Sequence, residues 1–101
     1  MEERFRYEDR PDLIPAVSAV VPLMDYKLLL TFKSGEIRIY DCGWMLEEKL
    51  FQPLKDYEFF VKAHVSDDTV AWNSMIDMGP DDLYENGVPV LDNEVPIMMA
   101  V

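Results

Sequence analysis

Tyr26, Leu28, Leu30 and Phe32 alternate with Lys27, Leu29 and Thr31, and Ser34-Gly35 follows at once. A period of two with one face wholly apolar predicts a strand with a buried side, and the Ser-Gly pair predicts that the chain turns back on it. If those two residues form the loop, Lys33 faces Glu36, Phe32 faces Ile37, Thr31 faces Arg38 and Leu30 faces Ile39. Apolar then meets apolar and opposite charges meet, as cross-strand pairing favours. Upstream, the β-branched run from Ala16 to Val21 lies between Pro15 and Pro22, which predicts a third antiparallel strand closed by proline at both ends.

A second hairpin is predicted from Val61 to Trp72 with Asp67-Asp68 at its turn, pairing Val65 with Val70, Ala63 with Trp72 and Lys62 with Asn73. Aspartates suit such a turn because their side chains bond nearby amides and tolerate left-handed backbone. Between the hairpins, Trp44 to Lys49 and Leu54 to Phe60 read as short helical pieces separated by Pro53. Gly79-Pro80-Asp81-Asp82-Leu83-Tyr84 reads as a helix start, with Asn86-Gly87 as its stop. The fold class is therefore α+β, a small antiparallel sheet built from hairpins with two or three short helices. Residues 16–87 form one domain, 1–15 a charged N-terminal extension and 88–101 a C-terminal tail ending in Pro96-Ile97-Met98-Met99-Ala100-Val101.

Size and charge narrow the function classes. A chain of 101 residues supports one modest core, and with half of its residues hydrophobic it collapses despite a net charge of -11. The acidity is local: Lys62 is the last base, and Asp67, Asp68, Asp77, Asp81, Asp82, Glu85, Asp92 and Glu94 follow with nothing to balance them. Such a field repels phosphate and anionic membrane and speeds encounter with a basic partner. Direct nucleic-acid contact is not expected, because nine bases stand dispersed against twenty acids. No apolar run approaches the ~20 residues that span a bilayer. A lone cysteine and an N-terminus without a signal-peptide layout make the cytoplasm the expected compartment.

No sequence motif declares a chemistry. A thiol nucleophile would need Cys42 beside His64, yet His64 falls on a solvated strand face and Cys42 suits a buried filler. The acids Asp77, Asp81, Asp82 and Glu85 do not follow the spacing of a calcium loop, and a helix start already explains Asp81 and Asp82. No catalytic residue, cofactor or metal ligand is assigned. Trp44, Trp72, Tyr57, Phe59 and Phe60 lack the basic neighbours of a stacking platform and are expected in the core.

The chain resembles the bacterial family called domain of unknown function 2442. The residues that carry the likeness are Val17-Ser18-Ala19-Val20, Tyr26-Lys27-Leu28, Leu30, Phe32, Gly35-Glu36, Arg38 and Asp41, then Leu54, Asp56, Phe59, Val65, Val70, Trp72, Asp77, Pro80-Asp81 and Leu83-Tyr84. The resemblance implies a small α+β domain with an antiparallel sheet and no established activity. It also implies company: members often stand beside domain of unknown function 4160 in an arrangement read as toxin and antitoxin. Some relatives append a helix-turn-helix DNA-binding domain, whereas here the residues after Tyr84 are few and include Pro89 and Pro96.

These readings give two functional expectations. The first is a non-enzymatic protein-interaction module, an antitoxin-like partner of a small basic protein, with Asp67, Asp68, Asp77, Asp81, Asp82 and Glu85 as the contact face. The second is a small-molecule or metal-binding regulatory domain with Trp72, Asp77 and Tyr84 lining a pocket. Against the second, Trp72 would plug the core, Asp77 cap a turn and Tyr84 cover the sheet. A homo-oligomer, formed through the uncharged Ala16–Val21 edge or through the terminal arms, is expected as well.

Overall fold

The computed structural model describes residues 15–90. The N-terminal extension up to residue 14 and the tail from residue 91 lie outside the described residues. Within them the elements are β1 (Val17–Leu23), a 3₁₀ turn (Met24–Tyr26), β2 (Lys27–Phe32), β3 (Ile37–Asp41), two further 3₁₀ segments (Gly43–Glu47 and Lys49–Lys55), α1 (Tyr57–Phe60), β4 (His64–Ser66), β5 (Thr69–Ala71), α2 (Pro80–Asn86) and β6 (Val88–Pro89). They build a four-stranded sheet in the order β1-β2-β3-β6 and a two-stranded sheet of β4 and β5. Every pairing is antiparallel.

The alternation in β2 does what its sequence requires. Leu28, Leu30 and Phe32 are buried on the inner face together with Tyr40 and Val17, each large side chain contributing roughly 1.5–3 kcal/mol by leaving water. The helical pieces and the small sheet close over that face through Met45, Leu54, Phe60, Val70, Trp72, Ile76, Met78 and Leu83. Trp72 tilts against Phe60 at 6.0 Å, and its indole N–H donates to the Phe60 carbonyl at 2.8 Å, so its polar atom is satisfied in the core.

Three details differ from the sequence reading. The β2–β3 register is displaced by one: Thr31 pairs with Ile37, Leu30 with Arg38 and Leu29 with Ile39. The loop holds three residues, Lys33-Ser34-Gly35, because Gly35 takes a φ of 96° that only glycine adopts freely. Proline does not end β1 either. Pro22 pairs with Leu28 inside the strand, which an edge strand tolerates because its missing N–H points away from the ladder. Finally, Val88 and Pro89, assigned by sequence to the tail, pair with Ile39 and Arg38 as β6.

The second hairpin forms in the expected register, with Val65 opposite Val70 across Asp67-Asp68. Both aspartates are left-handed, at φ 51° and 67°. After β5 the chain returns along it: Trp72 N–H donates to Ile76 O, Met78 N–H to Val70 O, and Ala71 bridges Asp77. This return stretch gives β5 a neighbour on its second edge and buries Ile76 and Met78.

Candidate functional site

The register fixes a second, outward face on the large sheet. Val21, Leu29, Ile39 and Val88 lie in one row across it, with Ala19, Thr31 and Ile37 in the next. None of these belongs to the core cluster, which occupies the opposite face. Val21, Leu29, Ile37 and Ile39 are half-buried within the sheet, while Val88 is 65% exposed. A sheet apolar on both sides is built to be covered on both.

Two neighbouring clefts open at the β3–β6 end. One, of about 460 Å³, is walled by Leu23, Met24, Ile39, Val88 and Pro89, with Asp25 and Asp41 beside Lys27 at its polar side. The other, of about 410 Å³, is lined by Tyr40, Asp41, Trp44, Asp82 and Asn86. Asp41 and Asn86 line both. In the second cleft the Trp44 indole N–H donates to the Tyr40 hydroxyl at 3.0 Å, which donates to Asp82 Oδ2 at 2.9 Å, while Asn86 Nδ2 donates to Asp82 Oδ1 at 2.6 Å. Burial, then the bond to Asp82, pushes the Tyr40 phenol far above its ordinary value, so it remains a donor at any ordinary pH.

The acids singled out by sequence are distributed rather than gathered. Asp67 and Asp68 shape the β4–β5 turn; Asp68 forms an ion pair with Lys33 at 2.9 Å, and its carbonyl accepts from Val17 N–H. Asp77 lies on the return stretch beside β5, and Glu85 is exposed on α2. Asp81 accepts from the Asp82 amide in the first turn of α2. Of the six, Asp82 alone lines either of the two clefts described above.

Trp72, Asp77 and Tyr84 line neither cleft. Tyr84 stands edge-on to Phe32 and under the Arg38 guanidinium, and its hydroxyl donates to Glu36 at 2.8 Å. That bond, followed by burial, raises its phenol from the ordinary value. The turn near Asp77 is capped from Asn73, whose Oδ1 accepts from the Met75 and Ile76 amides. Burial pushes the Cys42 thiol far up, the reverse of what a nucleophile needs, and His64 is exposed with its Nδ1 at 3.1 Å from Lys62 O. Among the described residues no group of three or more His, Cys, Asp or Glu side chains is arranged to hold a metal ion, and no helix is long and apolar enough to cross a membrane.

The exposure of Trp44 and the outward apolar row were not anticipated from the sequence. Trp44 reads as core, Ile37 and Ile39 read as paired with buried Phe32 and Leu30 under the displaced register, and Leu29 reads as a single apolar residue between Lys27 and Thr31 on the outer face. A signal was present: β2 and β3 carry apolar residues at odd positions as well as even ones.

Fold and clefts together define a small α+β domain with an apolar outward sheet face and two clefts at one end. The chain belongs to the family described as Protein of unknown function (DUF2442), whose model matches residues 17–89. It is similar to a solved structure, the "Putative DNA Binding Protein NE0471 from Nitrosomonas europaea ATCC 19718", at 28% identity and a TM-score of 0.65. The match covers 85% of this chain and 52% of that one, so the chain spans about half the length of that neighbour. No curated protein matches.

That neighbour overturns one expectation, that of no direct nucleic-acid contact: a protein sharing this fold carries the name "Putative DNA Binding Protein". The physical weakness of the expectation lay in using a net charge. A sum over 101 residues constrains the long-range field, whereas contact depends on which side chains a local surface presents.

Proposed function

We propose that this chain is a non-enzymatic interaction module that binds a small basic protein, in the manner of an antitoxin-like partner, through the outward face of its large sheet. The observation that carries the reading is the row Val21–Leu29–Ile39–Val88, apolar, outside the core, and continuous with a cleft at the β3–β6 end. Charge selects the occupant. Asp25 and Asp41 outnumber Lys27 at the polar side of the cleft on a chain of net charge -11, so a basic partner gains in encounter rate and orientation what an acidic one loses. A second copy could cover the same apolar face, but it would bring another -11 to the contact.

Affinity capture from the native host at low and high salt tests this, using the wild-type chain and Ile39→Asp, a change on the outward face away from the core. A small basic protein retained by the wild type, released by salt and lost with Ile39→Asp is the expected outcome. The same retained set for both chains, or an acidic partner, would defeat the reading. Light scattering of the isolated chain identifies self-association as the competing occupant.

The name carried by the Nitrosomonas europaea protein favours a second reading, in which the domain serves a DNA-binding protein and touches DNA itself. Its test is anisotropy of a labelled duplex at low salt. Binding that weakens linearly in log affinity against log salt is what this reading requires.

A further inference from the structure

We propose that the cleft formed by Tyr40, Asp41, Trp44, Asp82 and Asn86 is a cation-recognition site that receives an arginine side chain of a protein partner. The inference deepens the interaction-module reading and rests on it. Its first support is the state of Trp44, a large aromatic that is 48% exposed yet held in place. Its indole N–H is engaged by the Tyr40 hydroxyl and its ring stands edge-on to Phe51 at 5.9 Å. With its one polar atom engaged, what Trp44 offers to solvent is aromatic ring, and such a ring presents negative potential to whatever lies over its face.

The second support is what surrounds that ring. Asp41 is fixed by accepting the Gly43 amide at 2.8 Å, and Asp82 by Tyr40 and Asn86. The lining contains two carboxylates and no base. The field of these two acids reaches the neighbouring Cys42 thiol, where it adds to burial in disfavouring a further negative charge. An aromatic wall with oriented carboxylates suits a planar organic cation, which stacks on the ring and donates its N–H groups in the plane of the acids. A small hard metal ion is poorly served, since it needs several oxygen ligands converging at one point.

The third support is continuity. Asp41 and Asn86 also line the apolar cleft that opens onto the outward sheet face. A strand or loop carrying arginine next to branched apolar residues would fill both at once, the cation against Trp44 and the hydrocarbon against Ile39 and Val88. A free polyamine would use only the first.

The chain contains two tryptophans, so ¹H–¹⁵N spectra of the full chain give one indole signal for this cleft and one for buried Trp72. The probe is a blocked Val-Arg-Val peptide, with Val-citrulline-Val as its neutral isostere and spermidine as the free-cation arm. The proposal expects a saturable shift of the Trp44 indole signal with the arginine peptide, an unmoved Trp72 signal, and at least tenfold weaker binding of the citrulline peptide. Asp41→Asn combined with Asp82→Asn removes both charges at nearly constant size and leaves one acceptor oxygen at each position, while at 82 the second acceptor, used by Tyr40 or Asn86, becomes a donor; the variant should weaken the arginine peptide at least tenfold. An unchanged Trp72 signal in that variant certifies its fold; if it moves, Trp44→Leu replaces it and must weaken the peptide, read from backbone amide shifts, equally. Equal response to the citrulline peptide, no saturable response, tighter binding of spermidine than of the peptide, or full affinity in the variant would each overturn the proposal. Capture of a basic partner that is lost with Ile39→Asp but kept with the double Asp→Asn change would overturn the cleft assignment and leave the module reading standing.

Discussion

Arg38 distributes its guanidinium over three residues. Nε and Nη2 meet Glu36 at 2.8 and 2.7 Å, Nη1 donates to the Tyr84 and Gly87 carbonyls at 2.8 and 3.0 Å, and the plane lies 4.0 Å from the Tyr84 ring centre. A cation at the end of α2 satisfies carbonyls that the helix leaves without partners. Gly87 is the other half of this junction: a Cβ there would meet Leu83 O at 2.6 Å and Arg38 Cβ at 3.1 Å, so only glycine lets the chain pass from α2 into β6. Arg38→Met keeps much of the hydrocarbon but strands those carbonyls and Glu36, and should cost about 2–3 kcal/mol in urea unfolding. A second outcome at this scale concerns pH. Tyr40, Tyr57 and Tyr84 all have folded-state values raised above the ordinary 10.0. The folded chain thus keeps protons that the unfolded chain releases, so the stability tied to these phenols is complete below pH 10 and is lost as pH climbs beyond it. The phenolate absorbance owed to Tyr40, Tyr57 and Tyr84, read as the difference from the matching Tyr→Phe chains, should rise together with loss of tertiary circular dichroism, and its rise near pH 10 in the intact fold would contradict this.

At the scale of elements, the two hairpins show what sequence can and cannot specify. The β4–β5 register was legible because a two-residue turn admits one pairing, and Asp67-Asp68 suited it. The β2–β3 register was not, because a two-residue Ser34-Gly35 loop sets Leu30 against Ile39 and Thr31 against Arg38, a closer match of type than the observed Leu30 with Arg38 and Thr31 with Ile37; the decision fell to the left-handed Gly35. The helix from Pro80 to Asn86 was legible from proline, acids and glycine in order. The return stretch that buries Ile76 and Met78 carries no periodic signal, being three residues long and held by backbone bonds to β5. Asp67→Asn with Asp68→Gly should stabilise the chain by about 0.5–1 kcal/mol, since glycine and asparagine adopt positive φ more easily than aspartate. The lost Lys33 pair, with both side chains mostly exposed at 62% and 58%, should offset this only slightly. A shift of the urea midpoint to higher concentration checks it, and a shift downward would assign Asp68 a tertiary role.

For the molecule as a whole, the candidate site was less legible than the fold because it depends on which apolar residues are not needed by the core. Sequence could count the apolar positions of β2 and β3 but could not say that the helical pieces all pack on one side, leaving Leu29, Ile37 and Ile39 on the other. The acidic half of the chain was visible as charge, yet its members point to separate parts of the surface, and Asp82 was distinguished only by the Tyr40–Trp44 chain of hydrogen bonds. Hydrogen–deuterium exchange of the chain alone and with its captured basic partner shows whether partners bind the outward sheet face and the adjoining β3–β6 end as proposed. Slowed exchange is expected in β2, β3 and residues 86–90, with the Asp67-Asp68 turn unchanged; protection confined to the β4–β5 hairpin or α1, with β3 unaffected, would rule that binding surface out.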